Sequence, residues 1–338
     1  MPVLYATHER FLDHDTGTGH PERPARLTAV EAGIDAAGLR EALVPVVPVA
    51  AADVDIARIH PEAYTRALAE FCASGGGYLD GDTHVGAASW EAATLGAGAG
   101  LEVMRRLDAG EGEAGFCAVR PPGHHALANR AMGFCLLNNV AVTAAALRDR
   151  GERVAVIDYD AHHGNGIQDL FWTDPKVFYV SMHEWPMYPG TGRIDDVGAG
   201  AGQGATLNLP FPAHTTGDVY RRALDEVIVP TLDAWSPTWL LISAGFDGHR
   251  LDPITDLGLT AGDYADVTRV LADLVPAGRL ILFLEGGYDL RALRDCTGAV
   301  LSALADDGAY RPEAPSSGGP GSEVCASALA IRAGLADR

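Results

Sequence analysis

Cysteine is scarce in this 338-residue chain: Cys72, Cys117, Cys135, Cys296 and Cys325 are scattered, and no two form a Cys-x-x-Cys pair. An odd, dispersed set argues against a disulfide framework or a cysteine-based zinc site, and for free buried thiols in a reducing compartment. Lysine is scarcer still. Lys176 is the sole one, and arginine supplies the rest of the 25 basic residues. Against 45 acidic residues this leaves a formal net charge of −20, a field that repels nucleic-acid phosphates and attracts cationic partners. Long apolar runs are missing as well, for none approaches the ~18 residues of a membrane span. The opening MPVLYATHERFLDHD lacks the basic-then-apolar order of a secretory signal. The expectation is a cytoplasmic protein that binds neither membrane nor nucleic acid. The Ala, Gly and Arg bias suggests a GC-rich bacterial genome.

Hydrophobic residues make up 47% of the chain, enough for a substantial core. Short apolar runs at Val3–Tyr5, Leu43–Val49, Gly115–Val119, Val154–Ile157, Val177–Ser181, Thr206–Leu209, Trp239–Ser243 and Leu280–Leu284 read as strands. Amphipathic stretches near 24–37, 61–73, 89–108, 138–149, 217–234, 262–275 and 289–304 separate most of them. This alternation predicts an α/β fold with a mostly parallel sheet covered on both faces. Residues 1–310 read as one domain. The Pro/Gly/Ser-rich RPEAPSSGGPGSE then opens 311–338, a surface connection to a short terminal helix.

In open parallel sheets, ligands gather at the carboxyl ends of the strands. Four polar clusters fall there: RPPGHH, DYDAHHGNG, SAGFDGHRLDP and EGGYDL. Charged groups at the end of a buried strand are costly unless paired or bound to a metal. Side-chain direction alternates, so Asp160 and His162 leave their strand on the same side. Asp247, at the end of a later strand, completes a set of three. Three such ligands with an open position suit a hydrolytic zinc, although the pattern alone does not single out zinc. The adjacent His124 and His125 suit proton transfer better than joint ligation, with Asp158 and Asn165 as unequal partners that would separate their pKa values. Tyr288 follows two glycines that let the chain turn and leave the phenol exposed, in a position to donate to an oxyanion.

Together RPPGHH, GFCLLNNVAVTA, IDYDAHHGNGIQDLF, SAGFDGHRLDP and LEGGYD, preceded by GTGHPERPARL, resemble the zinc-dependent histone deacetylase family over roughly residues 1–305. The likeness is strongest to its class II and bacterial amidohydrolase branch, with acetylpolyamine amidohydrolases as relatives. It implies the arginase/deacetylase-type fold, with about eight mostly parallel strands flanked by helices and a tunnel to zinc. By motif match Asp160, His162 and Asp247 are the zinc ligands. His125 with Asn165 looks like the general base for the zinc-bound water, and His124 with Asp158 like its electrostatic and acid partner. Tyr288 matches the transition-state tyrosine. Gly133 would offer its carbonyl to the substrate amide, Phe134 and Tyr188 would wall the tunnel, and Asp82 matches the rim residue that orients the substrate backbone. The family also carries structural potassium; Asp158, Asp160, His162, Ser181 and Met182 match one site, and Phe171, Asp174 and Val177 part of another. Asn165 stands where the family's first class commonly has Asp, and Tyr188 where Phe is frequent.

The expected reaction is hydrolysis of an acylated lysine in a protein or peptide to a carboxylate and a free amine. The rival from the same fold is hydrolysis of an acetylpolyamine or another acylated small amine. Relatives selective for polyamines often place an acidic residue just after the Asp-Pro of the GFD…DP motif, whereas Ile254 stands here. A non-catalytic binding protein is disfavoured because every catalytic position keeps a competent residue type. A binuclear manganese hydrolase would need more carboxylates than these motifs supply.

Overall fold

Short strands buried on both faces need apolar side chains at every position rather than at alternate ones, and VAVID, WLLISA and LILFL are buried throughout. The computed structural model describes residues 2–305 and 308–336. Its strands are β1 (Val3–Ala6), β2 (Leu43–Val46), β3 (Gly77–Tyr78), β4 (His84–Val85), β5 (Ala114–Cys117), β6 (Val154–Asp158), β7 (Val177–Glu184), β8 (Thr206–Phe211), β9 (Trp239–Ala244) and β10 (Leu280–Leu284). Its α-helices are α1 (Ala25–Ala36), α2 (Asp53–Ile56), α3 (Glu62–Ala73), α4 (Ser89–Asp108), α5 (Asn139–Asp149), α6 (Asn165–Phe171), α7 (Gly217–Ala223), α8 (Val229–Trp235), α9 (Ala261–Ala272), α10 (Leu290–Ala305) and α11 (Ser322–Ala336).

Eight strands form one sheet in the order β2-β1-β5-β10-β9-β6-β7-β8, and every neighbouring pair is parallel. β3 and β4 make a small antiparallel hairpin outside it. α4 and α5 pack together and against the sheet, while α10 packs between α1 and α9. This is the α/β architecture that strand–helix alternation predicts.

Several boundaries differ from the sequence reading, among them β7, which runs on past Ser181 to Glu184, and β5, which ends at Cys117 rather than Val119. β2 stops at Val46 rather than Val49; Pro45 is tolerated because β2 is an edge strand, and Pro48 follows. The stretch 217–234 is interrupted by a π-turn at Leu224–Ile228 just before Pro230, whose missing N–H the wider turn accommodates. The terminal helix α11 has 15 residues and packs on the edge strand β8 and on α7. All five cysteines are free and buried. Among the described residues, no helix is long and apolar enough to cross a membrane.

Candidate active site

The four strands that deliver the polar clusters are contiguous in space, in the order β5-β10-β9-β6. Asp158 is in register with Ser243 on β9, so the ends of β6 and β9 lie level. Beyond them Asp160, His162 and Asp247 bring one ligand atom each within 4.8 Å of one another, all three residues buried. Nδ1 of His162 stands 3.2 Å from Oδ1 of Asp160 and 2.9 Å from Oδ2 of Asp247. The other carboxylate oxygens are held by backbone: Gly286 N–H donates to Asp160 Oδ2 at 2.7 Å and Ala161 N–H to Asp247 Oδ1 at 2.8 Å. A Cβ on Gly286 would collide with both carboxylates, so only glycine closes this cradle. Burial disfavours charge on His162, yet Asp247 and Asp160 outweigh it and hold its pKa well above the ordinary range. Two buried carboxylates thus call for a cation at the point where the three lone pairs meet. A two-oxygen, one-nitrogen donor set of this kind fits a divalent metal such as zinc.

Beside it the two histidines have unlike surroundings. His124 Nδ1 lies 3.0 Å from Asp158 Oδ2, which also accepts from the Tyr179 hydroxyl at 3.2 Å. Burial lowers the pKa of His124, but the carboxylates of Asp158, Asp160 and Glu285 override it and push it up to about 10. His125 Nδ1 lies 2.8 Å from the amide Oδ1 of Asn165. Its burial, together with repulsion from His124 and His162, drives its pKa well below 6.5. The surroundings thus favour charge on His124 and neutrality on His125, a pair set apart by environment.

A cavity of about 450 Å³ runs to this point, lined by Pro21, Asp82, His125, Gly133, Phe134, His162, Met187, Tyr188, Ile254 and Tyr288. Gly133 and Phe134 adopt φ of +56° and +67°, and a Cβ on Gly133 would strike the His125 ring and come within 3.1 Å of Tyr188. Glycine there lets the backbone pass close to His125. Tyr188 is 40% exposed and meets His125 edge-on at 5.1 Å; Ile254 is 37% exposed at the same mouth. The Tyr288 phenol is not exposed as the sequence reading had it. Phe134 packs edge-on against its ring at 5.9 Å, the Arg26 guanidinium lies 5.1 Å from its centroid, and only 8% of the residue remains accessible. The remaining predicted residues divide into two places. Ser181 is the register partner of Asp158, and the carbonyl of the next residue, Met182, accepts from the Tyr220 hydroxyl at 3.2 Å. Phe171, Asp174 and Val177 lie together at the other end of β7, where the Asp174 carboxylate accepts from Arg148 Nη1 at 3.2 Å and from the Lys176 N–H at 2.9 Å.

The sequence reading missed the buried network beneath the tyrosine. Arg26 donates to the carbonyls of Gly287, at 2.7 Å, and Glu285, which fixes the turn that carries Tyr288. Glu22 binds Arg26 and Arg120 with no exposure of any of the three. Asp252 Oδ2 accepts from the Tyr288 N–H at 2.8 Å, and Glu285 Oε2 accepts from the N–H groups of Gly123 and His124 at 2.7 and 3.1 Å. The run HPERPARL carried the signal, because charged residues crowd around two prolines there, but only burial reveals their partners.

A buried Asp–His–Asp cluster that could hold a metal, two adjacent histidines in unlike surroundings and a phenol meet at one cavity, an arrangement suited to hydrolysis. The chain matches the histone deacetylase domain over residues 20–304, and it belongs to the histone deacetylase family. It is 38% identical over 321 residues to a probable deacetylase of Archaeoglobus fulgidus, covering 90% of this chain and 89% of that protein. It is 33% identical over 301 residues to a histone deacetylase-like amidohydrolase of Pseudomonas aeruginosa, covering 87% and 79%. The fold superposes on the crystal structure of the HDA15 HD domain with a TM-score of 0.90 at 33% identity, covering 98% of this chain and 96% of that one. The protein is therefore a hydrolase acting on amides.

Proposed function

We propose that the protein removes acetyl or longer acyl groups from the side-chain nitrogen of lysine in a protein or peptide, with zinc held by Asp160, His162 and Asp247. The observation that carries this reading is the cavity itself. It is lined by Phe134, Tyr188 and Ile254, of which Tyr188 and Ile254 are partly exposed, and by the buried His125, His162 and Tyr288. An acyl-lysine side chain is a flexible apolar stem ending in a neutral amide, and it matches that gradient. Zinc at the three ligands supplies a Lewis acid that polarises the amide carbonyl and acidifies water.

The chain's own groups supply the rest. His125, neutral and held through Nδ1 by Asn165, presents Nε2 to take a proton from the attacking water. His124, charged and anchored by Asp158, stabilises the developing negative charge and is the proton source for the departing amine. Tyr288, set by Arg26 and Asp252, donates its hydroxyl to the oxyanion. The Gly133 carbonyl accepts from the substrate amide N–H, and Asp82 at the rim orients the substrate backbone. Structural potassium belongs to the same reading, with one ion bound through Asp158, Asp160, His162, Ser181 and Met182 and another near Phe171, Asp174 and Val177.

Acylated polyamine is the second reading, favoured by Asp82 in the cavity lining and opposed by apolar Ile254 at the mouth. Rates for acetyl-lysine peptides, longer acyl-lysine peptides and acetylpolyamines on one preparation decide between them. A higher kcat/KM for an acyl-lysine peptide is expected, and a preference for acetylpolyamines overturns the lysine reading.

A further inference from the structure

We infer that Glu313, which lies beyond the matched deacetylase domain, is a positioning residue for the loop between β9 and α9 that serves the site. The inference rests on the roles proposed above for Asp247, Asp252 and Tyr288.

The loop is a relay of short bonds. Asp247 lies near its start, and Asp252 in its middle accepts from the Tyr288 N–H at 2.8 Å through Oδ2 and from the Ile254 N–H at 3.1 Å through Oδ1. Ile254 lines the cavity. Asp252 is itself placed by its own N–H, which donates to the His249 carbonyl at 2.8 Å. His249 is therefore the hinge of the loop, and it is 1% exposed. Its Nδ1 accepts from the Leu251 N–H at 3.2 Å, so the proton sits on Nε2, which donates to Glu313 Oε2 at 2.6 Å.

Glu313 grips three points of the loop at once. Besides His249, its Oε2 accepts from the Ala261 N–H at 3.0 Å, and its Oε1 accepts from Arg250 Nη2 at 2.6 Å. The neighbouring strap is fastened too. Thr260 Oγ1 donates to the Ala314 carbonyl at 2.9 Å, and the Ser316 N–H donates to Asp263 Oδ1 at 3.0 Å. A Cβ on Gly262 would come within 2.6 Å of the Glu313 carbonyl, so the strap lies directly on the start of α9. A carboxylate that joins both ends of a loop removes the loop's freedom without touching substrate, and catalytic geometry is sensitive to displacements near 1 Å.

The test compares the full-length protein with Glu313→Ala and Glu313→Gln. Glutamine keeps an amide oxygen that can still accept from His249 and Ala261. Glu313→Ala should lower kcat on an acetyl-lysine peptide by about ten- to a hundred-fold while KM moves less than about three-fold and the zinc content stays at the wild-type level. Glu313→Gln should recover most of the wild-type kcat. Hydrogen exchange should accelerate across 248–259 in the alanine variant alone, with the central strands unchanged. Wild-type kcat in Glu313→Ala, equal loss in both variants, or faster exchange over the whole chain would each overturn the inference. Should the wild type show no activity on any acyl-lysine peptide, the substrate reading fails, and the exchange comparison still decides whether Glu313 holds the loop.

Discussion

His125 donates through Nδ1 to the amide oxygen of Asn165 across 2.8 Å, and this leaves its Nε2 lone pair toward the cavity. A neutral partner orients the ring without drawing a second proton onto it. Asn165→Asp replaces that amide with a carboxylate, and an opposite charge at this range raises a histidine pKa by about 1–3 units. Base-competent His125 would then be lost at higher pH on acidification. The acid limb of the kcat/KM profile should move upward by about one unit or more. A limb in the wild-type position would show that His125 is not the group it reports.

The convergence of Asp160, His162 and Asp247 predicts about one bound zinc per chain, since three protein ligands with one position left open suit a catalytic zinc. Elemental analysis of the purified protein measures it directly. A chelator should abolish activity and added zinc should restore it; full activity after complete metal removal would rule the assignment out.

Tyr288→Phe removes one hydroxyl and keeps the ring that packs on Phe134 and Arg26. Substrate binding should change little. Loss of one oxyanion donor costs about 2.7–4 kcal/mol, so kcat should fall by about 10²–10³. Single-turnover rates check this, and near-wild-type values would leave the oxyanion to the metal alone.

Ile254, at the cavity mouth, offers apolar contact and no charge. Ile254→Glu should raise kcat/KM for acetylpolyamines relative to acyl-lysine peptides. A carboxylate at a rim this exposed contributes about 1 kcal/mol toward a cation, so the ratio should shift by about five-fold. An unchanged ratio would place the distal ammonium elsewhere.

The buried network at the N-terminus predicts acid sensitivity. Burial lowers the His14 pKa from 6.5 to about 4 even though Glu22 is near. Between those values the unfolded chain binds a proton that the folded chain refuses, so stability falls as pH drops. For Glu22, burial is outweighed by Arg120, and its pKa falls from 4.5 to about 2. A second loss of stability therefore lies below pH 4.5. Compared with the wild type, His14→Gln should show a shallower fall of the thermal midpoint between pH 6.5 and 4.5, where buried His183 and His163 also resist protonation, and an unchanged fall below pH 4.5. Equal slopes for wild type and His14→Gln between pH 6.5 and 4.5 would contradict a neutral buried His14.

Much of this molecule is local in origin. A run such as VAVID, set among alternating helical stretches, suits a strand buried on both faces of a parallel sheet, and the alternation of a strand puts Asp160 and His162 on one side. The adjacency of His124 and His125 and the apolar character of Ile254 are likewise written in the chain. Strand-end chemistry was legible for the same reason, because parallel strands all bring their carboxyl ends to one edge.

Tertiary structure decided what lies far apart in sequence. β9 and β10, the last strands of the sheet in chain order, insert between β5 and β6. That order brings Asp247 to His162, 85 residues away, and Gly286 to Asp160, 126 residues away. No periodicity encodes such neighbours. The burial of Tyr288 also depends on Arg26, which binds the carbonyl of Gly287 across 261 residues, and a buried guanidinium looks in sequence like any surface arginine. Glu313 sits in a Pro/Gly/Ser-rich stretch whose composition describes only a loop. Its three contacts exist because α11 docks on β8 and the strap must cross the start of α9 to reach it, a path set by packing and not by local preference.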